Sequence, residues 1–278
     1  MSKNLKNEVR DFWNKNPMSY NIDVKDMDRK FYDRVDKIFF DHHKFGHDSL
    51  PIFSKLIDYE TLRGKKVLEI GCGMGTMASQ FAKEGAKITA LDITHKAIEI
   101  TNRRFNLFNL EGNLEVADAE NLPFPDNTFD FVFSWGVLHH TPDTQKAIDE
   151  VYRVLKPGGK TAIMLYHKNS LIYYYHILFK KGILKMEILK HPKKKIVSRY
   201  TDFPDIGGSP LAKVYTRDDI RDVFGKFRNI EIRAFPMKGE MENIPSGRLP
   251  LSKWFFPKSF KKYLSEKHGW FLYVNVGK

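Results

Sequence analysis

The chain has 278 residues, of which 42% are hydrophobic and 29% are charged, and Cys72 is its single cysteine. This composition predicts one large globular domain, and a lone cysteine excludes an intrachain disulfide framework. No apolar run is long enough to span a bilayer, and residues 1–6 lead into a polar helix pattern rather than the apolar core of a secretory signal. We therefore expect a cytoplasmic protein.

The formal net charge of +12 is concentrated in two stretches of the chain. Residues 168–199 contribute +8 and residues 238–278 contribute +5, so the remainder is almost neutral. A basic surface can serve only solubility, or it can attract an acidic substrate, a lipid headgroup or nucleic acid. The charge alone leaves these interpretations open.

The first 63 residues contain no strand pattern. Helical spacing runs from Glu8 to about Asn16 and returns from Asp28 to His42, with a turn between. The histidine-rich segment 41–48 resembles a metal site in composition. Adjacent histidines on one helix point about 100° apart, however, so we expect a polar loop and no metal there.

A glycine-rich turn at residues 71–75 follows a short apolar strand that includes Glu69. The glycine spacing is G-x-G-x-G, and a helical pattern begins directly after it. Such a turn brings the backbone close to a ligand, because a Cβ would block both the positive φ values and the approach. The spacing differs from the G-x-G-x-x-G fingerprint of dinucleotide-binding proteins, so the ligand need not carry a phosphate.

Two further strands end in acids. The strand at 87–92 ends in Asp92, 21 residues after Gly71, and the strand at 114–117 is followed by Asp118. An acid at the first position can accept both ribose hydroxyls of a nucleoside, and the second lies within reach of an adenine amino group. Further strands at 129–134 and 160–166 alternate with helices, and this alternation predicts a parallel sheet with ligands at the carboxyl ends of its strands.

These motifs, together with residues 122–134 and 150–159, closely resemble the class I S-adenosylmethionine-dependent methyltransferases, especially the ubiquinone/menaquinone-biosynthesis and related small-molecule branch. The resemblance is dense over about residues 64–166. It implies an α/β, Rossmann-like, doubly wound seven-stranded sheet that is mostly parallel with an antiparallel last strand, and S-adenosyl-L-methionine as cofactor. The implied cofactor-binding residues are Glu69, Gly71, Cys72, Gly73, Gly75, Asp92, Ile93, Asp118, Ala119 and Ser134.

The resemblance also suggests a layout for the whole chain. Residues 1–63 would form a helical lid and residues 64–278 the methyltransferase domain, with a cap insertion at 167–214 and a second insertion at 236–268. Strands six and seven are predicted at 229–235 and 270–276. The lid and the cap are expected to close over the acceptor through aromatic side chains: Phe31, Phe39, Phe40, Tyr173 and Tyr174.

Tyr20, His139 and His140 are the candidate catalytic or substrate-contacting residues, with purely structural roles as the alternative. A sulfonium methyl group is already activated, so positioning can supply much of the rate and no universal catalytic motif is expected. The only thiol, Cys72, lies in the glycine turn, which excludes covalent pyrimidine C5 methylation and arsenite methylation.

The favoured function is methyl transfer to a small apolar or aromatic acceptor, because both insertions are rich in aromatic residues. An RNA-modifying methyltransferase is favoured only by charge, and the N-P-P-Y motif of enzymes that methylate exocyclic amines of nucleic acids is absent. A non-catalytic cofactor-binding protein is disfavoured by the intact glycine turn. We therefore expect a small-molecule substrate, with an anionic membrane surface as a possible second partner and nucleic acid as an unlikely one. The acceptor atom and the oligomeric state remain open.

Overall fold

A seven-stranded sheet forms the centre of the computed structural model, which describes residues 2–17, 24, 26–238, 240 and 257–278. The strands are β1 Lys66–Ile70, β2 Lys87–Asp92, β3 Asn113–Val116, β4 Phe129–Trp135, β5 Leu155–Tyr166, β6 Arg228–Phe235 and β7 Phe271–Gly277. Their order is β3-β2-β1-β4-β5-β7-β6, and the first five are parallel. β7 runs antiparallel to both of its neighbours. The fold predicted from the sequence is confirmed.

The helices flank this sheet. They are α1 Ser2–Lys15, α2 Arg29–His42, α3 Thr76–Lys83, α4 His95–Phe108, α5 Thr144–Val154, α6 Lys193–Thr201, α7 Arg217–Val223 and α8 Lys258–His268. Four of them, α2, α4, α5 and α7, begin at a capping side chain. Asp143 caps α5 by accepting the Lys146 N–H at 3.0 Å. Thr216 caps α7 in a capping box with Asp219.

The second N-terminal helix is part of the hydrophobic core. Phe31, Tyr32 and Val35 of α2 are fully buried and pack against Met74 and Ile100 of the sheet domain. The aromatic ring of Phe31 is therefore part of the hydrophobic core and does not line the cavity where an acceptor was expected. This packing fixes α2 beside the glycine turn.

The first helix is attached by polar contacts. Lys6 of α1 pairs with Asp118 at 2.6 Å and with Glu120 at 2.5 Å. Near the end of α1, the Asn14 side chain accepts the backbone N–H of Lys96 at 3.1 Å. These contacts place α1 across the carboxyl ends of the strands.

The segment predicted as a cap insertion folds into a helix with π-type hydrogen bonds at Ile172–Ile183, followed by α6. Its buried apolar side chains include Tyr173, Ile177, Ile196 and Val197, and these share one hydrophobic cluster with residues of β5 and the start of β7. The cap therefore sits on the end of the sheet. Within the described ranges, no helix is both long enough and apolar enough to cross a bilayer.

Candidate active site

A cavity of about 390 Å³ opens along the carboxyl ends of the strands. The sheet order places β2 and β3 on one side of β1, and β4, β5 and β7 on the other. The lining therefore runs from Asp118 and Asp92, past the glycine turn, to Trp270. α1, α2 and the cap cover it, contributing Val9, Trp13, Phe39, His42, His43, Thr201 and Asp202.

The glycine turn has a backbone that only glycine tolerates. Gly71 and Gly73 have φ values of 81° and 53°, and a Cβ on Gly71 would lie 2.2 Å from a methyl carbon of Val137. The Gly71 and Cys72 N–H groups donate to the Leu91 carbonyl at 2.7 and 3.0 Å, which fixes the turn against β2. Gly71 and Gly73 thus bring backbone without a side chain to the cavity wall.

Acidic side chains surround this turn. Asp92 accepts the Gly73 N–H at 3.2 Å through Oδ2, and through Oδ1 the N–H and hydroxyl of Thr94 at 3.0 and 2.8 Å. Burial raises the pKa of Asp92, and these hydrogen bonds oppose that rise. Glu69 is buried, and burial, followed by the charge of Asp92, raises the pKa of Glu69 well above its usual value. Glu69 Oε2 has no hydrogen-bond partner among the residues that the structure describes.

Eight of the ten cofactor residues implied by the resemblance line the cavity. They are Glu69, Gly71, Cys72, Gly73, Asp92, Ile93, Asp118 and Ala119. Gly75 and Ser134 are not part of this lining. Gly75 precedes α3 and approaches Thr101, whereas the fully buried Ser134 hydroxyl donates to the Ile70 carbonyl at 3.0 Å and joins β4 to β1.

His140 and Asp202 meet in the half of the cavity below the cap. The Nε2 of His140 lies 3.5 Å from Oδ2 of Asp202, and both residues are about 4% exposed. The Tyr166 hydroxyl donates to Oδ1 of Asp202 at 2.9 Å. The Trp13 ring meets the His140 ring edge to face, with 5.0 Å between the ring centroids, and the Trp270 ring stacks on that of Tyr166 with 4.6 Å between centroids. We call these five residues the acceptor end of the cavity.

Asp202 is a polar lining residue that the sequence did not predict. It follows α6 within the segment predicted as a cap insertion, and no motif marks an acid there. The one available signal was the position of this insertion after the fifth strand.

His139 is placed differently from its neighbour. It is fully buried, it is not part of the cavity lining, and its ring lies 3.8 Å from that of Tyr166. Burial lowers the pKa of His139 well below its usual value, so its ring is neutral. Neither ring nitrogen has a hydrogen-bond partner within the described ranges. His139 thus packs against Tyr166 outside the cavity lining, and Tyr20 lies outside the described residues.

The histidine-rich loop forms neutral contacts. The Trp135 indole donates to Nε2 of His43 at 3.0 Å, while Nδ1 of His43 lies 2.8 Å from the Phe39 carbonyl. Burial lowers the pKa of His43 to about 3. Across the residues that the structure describes, no group of three His, Cys, Asp or Glu side chains is arranged to hold a metal.

The aromatic residues expected to close over the acceptor have separate positions. Phe39 lines the cavity, but Phe40 packs on His47 at 4.0 Å. Tyr173 is in the core of the cap, and Tyr174 is 53% exposed. The cavity wall is instead formed by residues that the sequence did not single out, such as Trp13 and Trp270.

Comparison with known proteins identifies the class of this fold and site. The methyltransferase domain family matches residues 68–163. A ubiquinone biosynthesis O-methyltransferase of Coxiella burnetii is 30% identical over 173 residues, which are 59% of this chain and 72% of that protein. A ubiquinone/menaquinone biosynthesis C-methyltransferase of Cronobacter sakazakii is 35% identical over 136 residues, 44% of this chain and 54% of that protein. The chain thus spans only about half the length of this second relative.

Solved structures agree on the fold. A methyltransferase of Thermotoga maritima, described as a possible histamine N-methyltransferase, has a TM-score of 0.56 at 15% identity and 99% coverage of both chains. A Haemonchus contortus phosphoethanolamine N-methyltransferase bound to S-adenosylhomocysteine also has a TM-score of 0.56, at 19% identity, covering 99% of this chain and 60% of that one.

The sheet and its glycine turn define a nucleoside-binding α/β enzyme. The chain belongs to the class I S-adenosylmethionine-dependent methyltransferases, and its cofactor is S-adenosyl-L-methionine. The site fits this cofactor, because two glycines of the turn, a Glu69 oxygen with no partner among the described residues, and the acids Asp92 and Asp118 line one continuous cavity.

Proposed function

We propose that the enzyme methylates a small aromatic or apolar acceptor held at the acceptor end of the cavity. The observation that carries this proposal is the continuity of the cavity from Asp92 and the glycine turn to Tyr166 and Trp270. A ligand at the acceptor end would contact aromatic rings and a small number of polar groups, which is typical of small-molecule sites.

Each part of the lining has a role in this proposal. Asp92 would accept hydrogen bonds from the ribose hydroxyls of the cofactor, and Asp118 would accept one from the adenine amino group. Glu69 would accept a hydrogen bond from another donor group of the cofactor. The cofactor supplies an activated methyl group, so the protein mainly orients the acceptor and excludes water. His140 is the candidate for contact with the reacting acceptor, because it is the histidine of the pair that lines the cavity.

The lid and the cap would provide the exclusion of water. Val9 and Trp13 of α1, Phe39 of α2 and Asp202 of the cap all line the cavity from above the strand ends. We propose that residues 1–63 act as the lid and residues 167–214 as the cap. Movement of such segments often controls entry and release.

The names of the relatives support a small aromatic acceptor. Both curated relatives described above act in quinone biosynthesis, one as an O-methyltransferase and one as a C-methyltransferase. They differ in the acceptor atom, so their names support an aromatic molecule without choosing between oxygen and carbon.

The test is methyl transfer from a radiolabelled cofactor into fractions of a cell extract. We expect label in small organic-soluble products and none in RNA. Asp92→Ala should abolish the labelling, whereas Asp58→Ala, a change at an exposed acid outside the cavity lining, should leave it intact. Label in RNA, or no labelled product in any fraction, would contradict the proposal.

We also propose an anionic membrane as a partner surface, because a specific patch on the cap favours it. Residues 174–189 of the cap expose large apolar side chains: Tyr174, Phe179, Ile183, Leu184, Met186, Ile188 and Leu189. Exposed lysines lie among and after them: Lys180, Lys185, Lys190, Lys193, Lys194 and Lys195. Apolar residues with interspersed cations are typical of surfaces that bind anionic bilayers.

Vesicle sedimentation tests this second proposal. Vesicles that contain phosphatidylglycerol should retain the protein, and pure phosphatidylcholine vesicles should retain it much less. Leu184→Ser with Leu189→Ser should weaken retention, and the matched change Lys261→Ser with Lys262→Ser on α8 should have a smaller effect. Equal retention by the two kinds of vesicle would contradict the proposal and would mean that the lysines serve solubility alone.

A further inference from the structure

We infer that His140 and Asp202 form an acid–base pair that removes the proton from a weakly acidic hydroxyl of the acceptor. This inference rests on the proposed function, since it concerns the same cavity. It adds a residue of the cap to the reacting groups and narrows the acceptor to a phenolic or enolic hydroxyl. The argument begins with the orientation of the imidazole.

The Leu211 carbonyl determines which nitrogen of His140 carries the proton. The two groups are within hydrogen-bond distance, and a carbonyl can only accept, so Nδ1 is the N–H donor. In the neutral ring, Nε2 then holds a lone pair. Nε2 makes no hydrogen bond with any part of the chain that the structure describes. His140 lines the cavity while Nε2 itself is buried, so the side chains around Nε2 must shift for an acceptor to reach this lone pair.

Asp202 stands beside this nitrogen as a source of negative charge. The separation of 3.5 Å between Nε2 and Oδ2 is slightly longer than a normal hydrogen bond. An acceptor hydroxyl within hydrogen-bond reach of Nε2 would therefore also lie next to Asp202. Once the imidazole takes up the proton, the adjacent carboxylate stabilises the resulting cation.

Contacts of the cap with the sheet domain hold Asp202 in this place. Tyr166, at the end of β5, donates to its other oxygen. The Lys213 N–H of the cap donates to the His139 carbonyl at 3.0 Å, and within the cap the Ser198 hydroxyl accepts the Ala212 N–H at 2.8 Å. The docking of the cap thus determines the separation between the two halves of the pair.

The chemistry of the pair selects the class of acceptor. A histidine base is best matched to an acid whose pKa is not far above neutrality, and a phenol, at about 10, is far closer than an aliphatic alcohol or water, at about 15.7. The walls formed by Trp13, Tyr166 and Trp270 suit a planar ring, because aromatic rings stack or meet edge to face.

The proposed step is balanced in atoms and charge. The O–H bond of the acceptor breaks and its proton binds Nε2 of His140. The acceptor oxygen forms a bond to the methyl carbon as the C–S bond breaks, and the sulfur keeps that electron pair. The products are a methyl ether, S-adenosylhomocysteine and a protonated His140 beside Asp202.

4-Nitrophenol tests this assignment, because its absorption changes when the hydroxyl ionises. With S-adenosylhomocysteine bound, the wild-type protein should bind 4-nitrophenol and lower its apparent pKa by at least about one unit, which is tenfold in ionisation. His140→Gln should abolish this shift and Asp202→Asn should reduce it. Asp205→Asn, at an exposed acid three residues away, should not change it.

Two further measurements separate the inference from the general function. 4-Nitroanisole, which lacks the hydroxyl, should bind all four proteins equally, and their affinities for S-adenosylhomocysteine should agree. Methyl transfer to 4-nitrophenol should fall about 10²-fold or more in His140→Gln. No binding of 4-nitrophenol, or an unshifted ionisation in the wild type, would overturn the inference, and so would an unchanged shift in Asp202→Asn. If the wild-type protein does not bind S-adenosylhomocysteine, that result would instead count against the proposed function.

Discussion

Lys6 lies 2.6 Å from the carboxylate of Asp118, so the first helix is ion-paired with the acid expected to hold the adenine ring. The two side chains are about one quarter and one third exposed, which limits the strength of the pair. The same lysine also contacts Glu120, and all three residues line the cavity. The position of α1 is thereby connected directly to the cofactor end of the site.

Lys6→Ala should weaken S-adenosylhomocysteine binding by about threefold, as expected for the loss of a partly exposed ion pair that holds α1 over the site. Calorimetry at low salt measures this change. Lys15→Ala, at an exposed position on the same helix, is the control. Tighter binding in Lys6→Ala would show instead that Lys6 competes with the cofactor for Asp118.

Asp92→Ala should weaken S-adenosylhomocysteine binding by about 2 kcal/mol or more, because charge-assisted hydrogen bonds to the ribose would be lost. Asp92 also accepts three hydrogen bonds from Gly73 and Thr94, so the thermal stability of the variant must be measured beside its affinity. A folded variant with unchanged affinity would remove Asp92 from the cofactor site.

Arg104→Met should destabilise the protein by about 3 kcal/mol. Arg104 is 1% exposed, pairs with Asp36 of α2, and donates to the Met74 carbonyl and the Thr76 hydroxyl at 3.0 and 3.1 Å. Urea unfolding measures the change, and Arg103→Met at the exposed neighbouring position is the control. Equal losses in the two variants would show that the buried contacts add little.

The unfolding free energy should depend on pH through His43. Burial lowers the pKa of His43 to about 3 in the folded state, whereas the unfolded chain takes up a proton below about 6.5. The folded protein therefore binds fewer protons, and stability present above pH 6.5 is lost as the pH falls towards 3.

His43→Gln should remove about 2 kcal/mol of the stability difference between pH 8 and pH 5. His95→Gln, at an exposed histidine at the start of α4, should leave that difference unchanged. Denaturant titrations at the two pH values provide the comparison. Parallel pH curves for His43→Gln and the wild type would mean that His43 also stays neutral in the unfolded chain or is charged in both states.

Deletion of residues 1–17 should preserve the fold but weaken cofactor binding and abolish methyl transfer. α1 supplies Val9 and Trp13 to the cavity, and its other contacts with the sheet domain are mainly polar. α2, in contrast, packs buried side chains against the sheet domain. Hydrogen exchange should show α1 opening readily without ligand and α2 protected. Normal methyl transfer by the shortened protein would place the acceptor elsewhere.

The amino-acid sequence by itself determined the sheet, the glycine turn and the acids at the strand ends. These features depend on local patterns within about one hundred consecutive residues: apolar runs that form buried strands, glycines that tolerate positive φ, and Asp92 or Asp118 placed where a strand ends. Because parallel strands present their carboxyl ends at one edge, such residues converge without further information.

Only the tertiary structure decided which side chains meet from distant parts of the chain. Lys6 reaches Asp118 across 112 positions, and Asp202 of the cap meets His140, although no local pattern distinguishes Lys6 or Asp202 from a surface residue. Only the tertiary structure also distinguishes His139 from His140. The two are adjacent in the chain, yet His139 packs on the Tyr166 ring and His140 lines the cavity. The packing of the cap and of α1 on the strand ends determines these encounters, and such packing sums many weak long-range contacts that no short segment of sequence contains.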